Sequence, residues 1–241
     1  RLKQSLLKSA QRNLNKLYIT VNKLKDDRKK IIIFHSKDYI QMNRALLKKY
    51  NLEEFKLFIY SSIELLFSIQ LTKKTGGFWR EFKNYMDKST TGSIFNIDTF
   101  TFLIDRDVIV VIDNINKFKR IDKTRLYNNI VWFSGKFNIR NKSLDGISDS
   151  KNKFTVPYSI YNEGLYIRPW RYGDIMISAN SKKHVSLSDL YINNKLSKFY
   201  KLIQPVVVDK NDIILWIPGI LHGNINFYEN DKVKVISWVQ R

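Results

Sequence analysis

At Lys88 the spacing of apolar residues in this chain changes. Before it, apolar side chains recur every three or four positions, the period of one helix face. After it they recur at every second position in short runs, the period of a half-buried strand. A chain patterned in this way is neither a pure helical bundle nor a pure sandwich. The expected class is α+β, in two small domains: a helical domain with a short β-meander, followed by a compact α+β domain.

Leu2, Leu6, Leu7, Ala10, Leu14, Leu17, Val21 and Leu24 keep helical spacing and predict one long amphipathic helix. Its other face carries Lys3, Lys8, Arg12, Lys16 and Lys23. The charged run 25–30 breaks the pattern, and 31–34 reads as a short strand or buried link. Ser36 is placed to cap a second helix through Tyr39, Met42, Leu46 and Leu47 to Tyr50. A third helix is expected over about 52–71 and a fourth over 78–88, with Phe78, Phe82 and Tyr85 on one side. Segments 93–97, 100–104 and 108–112 then predict a three-stranded meander.

These signals divide the chain into a helical-plus-meander domain at 1–115, a connector at 116–157 and an α+β domain at 158–241. Within the connector, 130–133 and 137–139 can form a hairpin turning at Ser134 and Gly135, and 142–153 has linker composition. In the last domain, 165–170 is expected as a strand, 187–194 as a helix and 197–202 as a turn or short helix. Segments 206–208 and 213–217 are expected to pair, and 233–239 to close the domain.

The chain carries 42 Lys and Arg against 22 Asp and Glu, a formal net charge of +20 at pH 7. So large an excess repels itself in a compact state and implies a polyanionic partner, the alternative being a basic proteome with an A/T-rich coding sequence that inflates Lys, Asn and Ile together. The absence of cysteine excludes disulfides, thiolate zinc sites and a cysteine nucleophile. No apolar run approaches the ~18–20 residues of a membrane span, so no membrane partner is expected.

No constellation of residues suits catalysis. Gly76–Gly77 precedes a helix instead of following a strand, so it reads as a turn and not as a phosphate loop. His35, His184 and His222 are far apart and have no metal-ligand spacing. Glu53–Glu54 and Asp26–Asp27 fit helix starts and linkers. The reading is therefore no catalytic residue, no metal and no cofactor in this chain.

What remains is a candidate phosphate-binding face. Strand alternation puts Leu165 and Ile167 on one side and Tyr166, Arg168 and Trp170 on the other. Arg171 follows at a turn that Gly173–Asp174 allows to reverse. Arginine suits bidentate phosphate contacts, and Trp or Tyr can stack on a base; the alternative is that Trp170 packs inside and Asp174 pairs with Arg171. Downstream, Lys182–Lys183 lead into Ser186 and Asp189, a capping-box variant that would open a helix beside two lysines and form an anion site. Lys195, Lys198 and Lys201 continue the positive stripe. Replacing Arg168 and Arg171 together by alanine is expected to weaken RNA binding without unfolding the chain.

These elements, in this order, resemble the carboxy-terminal region of tRNA(Ile)-lysidine synthetases. Arg168 and Arg171 with Gly173–Asp174 match that family's Arg-x-x-Arg-x-Gly-Asp element. Lys182–Lys183 with 187–192 match its Lys-Lys-Leu-x-Asp-Phe-Phe-Ile segment, and 205–208 with 214–219 match its pair of apolar strands. The helices and meander before them are similar to its middle domain. The chain departs from the family at Ile175, Ser197 and the residues after Gly219. The resemblance implies binding of an isoleucine tRNA with a CAU anticodon, in bacterial cytoplasm or an organelle, and is compatible with a homodimer. It also implies an ATP- and magnesium-dependent ligase that joins lysine to the wobble cytidine. That chemistry would belong to a domain carrying a Ser-Gly-Gly-x-Asp-Ser loop, which this sequence does not contain. Opening on Arg1, the chain is expected to be processed or cut from something longer.

Overall fold

A computed structural model describes residues 2–116, 121–142, 150–227 and 232–240. The fold is α+β, in two compact units, Arg1–Ile115 and Asn116–Arg241. Most of the linker-like stretch, 143–149, lies outside the described residues.

The first unit opens with helix α1 (Leu2–Ile31), followed by strands β1 (Ile32–His35) and β2 (Tyr39–Asn43) and the short α2 (Arg44–Lys48). Helices α3 (Leu52–Phe67) and α4 (Gly76–Lys88) come next, then strands β3 (Ile94–Ile97), β4 (Phe100–Asp105) and β5 (Val108–Asp113). The strands form one antiparallel sheet in the order β1-β2-β5-β4-β3. Ile40, Met42, Phe100, Phe102, Ile109 and Val111 share a core with Phe55, Phe58, Trp79 and Phe82 of the helices.

Two expectations fail here for physical reasons. The charged run 25–30 does not end α1, which continues to Ile31 so that Leu24 and Ile31 are both buried. Basic residues in its last turn complement the helix dipole. Nor is 36–50 one helix. Ser36 Oγ accepts from the N–H groups of Asp38 and Tyr39, closing a turn into β2, which pairs along its whole length with β5. Asn43 then caps the five-residue α2. Helix α3 starts in a reciprocal capping box between Asn51 and Glu54 and stops at Ser68, whose φ is +57°.

A carboxylate fixes the loop between α3 and α4. Asp98 accepts from Thr72 N–H (2.8 Å), Thr72 Oγ1 (2.8 Å) and Lys74 Nζ (2.6 Å). Burial alone would raise its pKa, but the bonds from Lys74 and Thr72 outweigh that and hold it below the usual carboxylate value. A depressed folded-state pKa stabilises above the unfolded value of about 4, and the contribution disappears as pH falls through the folded value. Asp98→Asn should therefore be less stable than the natural chain at pH 6, and the gap should close below about pH 4. Thermal melts across pH 2–6 check this; a gap independent of pH would remove the carboxylate's role.

The described residues of the second unit form two larger sheets and a two-stranded ribbon. One holds β6 (Thr124–Arg125), β10 (Tyr166–Pro169), β13 (Pro205–Val208), β14 (Ile214–Ile217) and β15 (Leu221–His222), ordered β15-β14-β13-β10-β6. The other holds β7 (Val131–Trp132), β8 (Gly135–Lys142), β9 (Lys153–Pro157) and β16 (Val233–Gln240), ordered β7-β8-β16-β9. Residues 116–157 thus contribute four strands to this unit. Its described residues also hold a ribbon of β11 (Ile175–Ile177) and β12 (His184–Ser186) and three short helices: α5 (Tyr158–Gly164), α6 (Leu187–Asn193) and α7 (Lys198–Ile203).

The central sheet is buried on both faces. Ile167, Val207 and Trp216 pack against Phe137, Phe154, Ile236 and Trp238 of the other sheet. On the opposite face Val206, Val208, Ile214 and Ile217 pack with Met176, Leu187 and Tyr191. This explains why β13 and β14 read as unbroken apolar runs without alternation. Among the described residues no helix is long and apolar enough to cross a membrane.

Candidate nucleic-acid interface

Strand alternation along β10 follows the sequence reading, with Ile167 on one face and Tyr166, Arg168 and Trp170 on the other. That second face is not open to solvent. Arg168 is 1% exposed, and each nitrogen of its guanidinium donates a hydrogen bond. Nη1 and Nη2 donate to Asp174 Oδ2 (2.8 Å) and Oδ1 (2.9 Å), a bidentate fork. Nε donates to Asp212 Oδ1 (3.0 Å), and Nη1 also donates to the Pro169 carbonyl (3.0 Å). Burial by itself would lower the Arg168 pKa; the bonds to Asp174 and Asp212 more than offset this and raise it. The arginine stays charged, and its role is internal.

That role is to shape the turn above it. Asp174, held from below by Arg168, accepts the Arg171 N–H (2.7 Å), and its own N–H donates to the Arg171 carbonyl (3.1 Å). Gly173 supplies the φ of +86° that the reversal requires. Arg171 is 56% exposed in its side chain and donates to Asp212 Oδ2 (3.1 Å). Lys123 lies 3.8 Å from Asp212 Oδ1 and over the Tyr166 ring at 4.5 Å. Three cations (Arg168, Arg171, Lys123) therefore meet two carboxylates (Asp174, Asp212), which leaves a net positive charge at an exposed turn. An incoming phosphate would compete with Asp212 for Arg171.

Trp170, a candidate stacker in the sequence, is half-buried and meets Tyr191 edge-on with centroids 5.5 Å apart. Tyr191 is fully buried, and its hydroxyl has no hydrogen-bond partner among the described residues. Burial first, and the Asp174 charge second, push its pKa upward, so it stays a neutral phenol.

The remaining predicted residues fall into two groups. Lys182 and Lys183 are exposed on the turn between β11 and β12. Lys195 and Lys198 are exposed beyond the far end of α6, and Lys201 is half-buried on α7. Lys182 and Lys183 precede β12 and α6, and Lys195, Lys198 and Lys201 follow α6, which is about 10 Å long. The expected anion site at the start of α6 is taken up locally. Ser186 Oγ accepts from Asp189 N–H (3.5 Å), Leu187 N–H donates to the Asp174 carbonyl (3.0 Å), and Asp189 places its own carboxylate in the first turn.

Sequence reasoning did not find Asp212 or Lys123, which lie 44 and 45 residues from Arg168 in the chain. The only local signal at Asp212 is turn composition; the β13–β14 turn holds it at φ +68°. No group of three or more His, Asp or Glu that could hold a metal occurs among the described residues.

What fold and site define is an α+β chain that presents a cationic turn built on a buried ion-pair network. No known family's profile matches this chain, and no curated protein does. Among solved structures it is similar to the crystal structure of a TILS C-terminal domain, at 16% identity and TM-score 0.44, over 49% of this chain and 96% of that one. It is also similar to an N-terminal fragment of the phenylalanyl-tRNA synthetase β-subunit from Pyrococcus horikoshii, at 11% identity and TM-score 0.33, over 74% of this chain and 66% of that one. Both likenesses are too distant to bear on function.

Proposed function

We propose that this chain binds RNA through its second unit, with Arg171 and the lysines at 182–183 and 195–201 as the phosphate-contacting groups. One observation carries the reading: Arg171 stands exposed on a turn whose backbone is fixed by a buried Arg168–Asp174 fork, so a cation is held in place before any ligand arrives. Pre-organisation of this kind lowers the entropic cost of binding. The excess of 42 basic over 22 acidic residues supplies the long-range attraction.

More particularly, the chain is read as the tRNA-binding region of a tRNA(Ile)-lysidine synthetase, resting on the motif resemblance around Arg168–Asp174 and Lys182–Ile192. Its partner is then the isoleucine tRNA with a CAU anticodon. ATP and Mg²⁺ would serve a catalytic domain carrying the Ser-Gly-Gly-x-Asp-Ser loop, and this region would hold the tRNA while the anticodon is modified.

The test is a salt titration of the chain against that tRNA and a methionine tRNA with the same anticodon. The expected result is tighter binding of the isoleucine tRNA, with log K falling linearly in log salt as phosphate counterions are released. Equal, steeply salt-dependent binding of both would reduce the reading to a generic basic RNA- or DNA-binding module. Affinity indifferent to salt would remove RNA altogether.

A further inference from the structure

We propose that Tyr172 is a base-stacking residue for an unpaired nucleotide, with the outer face of the β11–β12 ribbon continuing the site. The proposal rests on the RNA reading above and specifies which part of an RNA the turn takes. Tyr172 is 95% exposed, more than any other large apolar side chain among the described residues. It sits at the tip of the turn between Arg171 and Gly173, where the Asp174 bonds to Arg171 fix the backbone. Apart from its two chain neighbours, nothing lies within 4 Å of the position a Cβ would take at Gly173, so the turn is open to solvent beside Tyr172.

The surface beyond Tyr172 has matching chemistry. Ile175 and Ile177 are 56% and 42% exposed on the outer face of β11, while Met176 between them is buried. Across the ribbon they pair with Ser186 and His184. Lys182 and Lys183 stand exposed at the far turn, about 10–20 Å along the ribbon at the rise of an extended strand. The order is therefore arginine and aromatic ring, then an apolar strip, then two lysines.

Phosphate contact alone needs neither an exposed ring nor exposed isoleucines. In a duplex the base faces are hidden within the stack. A single strand offers both splayed bases for the ring and phosphates for the cations. The cations at both ends favour this polyanion over an apolar protein surface.

The experiment measures affinity of the full chain for a short single-stranded RNA and for the duplex of the same sequence, across a salt series. Tyr172→Ala, Tyr172→Phe and Arg171→Ala are compared with the natural chain. Tyr172→Ala should weaken single-strand binding about tenfold or more, by a similar factor at every salt concentration, because stacking releases no counterions. Tyr172→Phe should bind within about twofold of the natural chain, since the π-face is kept, and Arg171→Ala should instead flatten the salt slope. Unchanged single-strand affinity in Tyr172→Ala, or an equal loss on duplex, overturns the stacking role while leaving the RNA reading in place. Failure of the natural chain to bind either short RNA overturns the stacking role, and failure to bind tRNA as well overturns the RNA reading.

Discussion

Arg168→Ala should lower the unfolding free energy of the second unit by about 3–5 kcal/mol, the usual cost of removing one partner of a buried ion pair. The side chain is 2% exposed and Asp174 11% exposed, so the abandoned carboxylate cannot recover full hydration. It would also lose the support that lets it hold the Arg171 N–H, and the turn would loosen. Arg171→Ala should behave oppositely. Its ion pair with Asp212 is 56% and 36% exposed, and such pairs contribute about 0–1 kcal/mol. Its loss should instead weaken RNA binding and reduce the salt slope by about 1. Urea denaturation of each variant, beside RNA titrations, separates the two roles. Combining Arg168→Ala with Asp174→Ala should restore some stability, because part of the single-variant cost is the orphaned charge. An Arg168→Ala chain as stable as the natural one would mean that the turn does not depend on the Arg168–Asp174 fork.

The burial and pairing of Arg168 run against the expectation that both arginines reach a phosphate. From sequence the two look equivalent: both lie in one Arg-x-x-Arg-x-Gly-Asp stretch, and alternation puts Arg168 on the side away from Ile167. What alternation cannot report is whether that second side is covered. In the folded chain α6 and the β11–β12 ribbon cover it, and Asp212 arrives from a turn 44 residues away to complete the pairing. Local signals fared better where one residue's chemistry decides the outcome. The meander around Phe100–Asp105, the cap at Ser186 and the reversal at Gly173 were all legible. The segment 36–50 was not, because Tyr39, Met42, Leu46 and Leu47 fit a helical stripe as well as a strand followed by one helical turn. Pairing with β5, a long-range contact, decides between them.

Phe82→Ala should destabilise the first unit by about 3–5 kcal/mol, as for other fully buried Phe-to-Ala changes. The expectation follows from how α4 meets the sheet. Sequence periodicity puts Phe78, Phe82 and Tyr85 on one face of the helix, but the structure makes them unequal. Phe82 is fully buried: its ring is stacked on Phe95 at 4.6 Å, edge-on to Phe102 at 4.8 Å and tilted against Phe55 at 5.3 Å. It therefore joins α3, α4, β3 and β4 through one side chain, and each aromatic pair adds about 0.5–1.5 kcal/mol beyond area burial. Phe78 is only half-buried, so truncating it leaves a dent that water can fill and not a closed cavity. Denaturation of both alanine variants should show Phe82→Ala as clearly the more costly. Phe82→Leu, which refills most of the space, should fall between Phe82→Ala and the natural chain. Equal losses at Phe78 and Phe82 would mean that α4 is held by its whole apolar face and not by this junction.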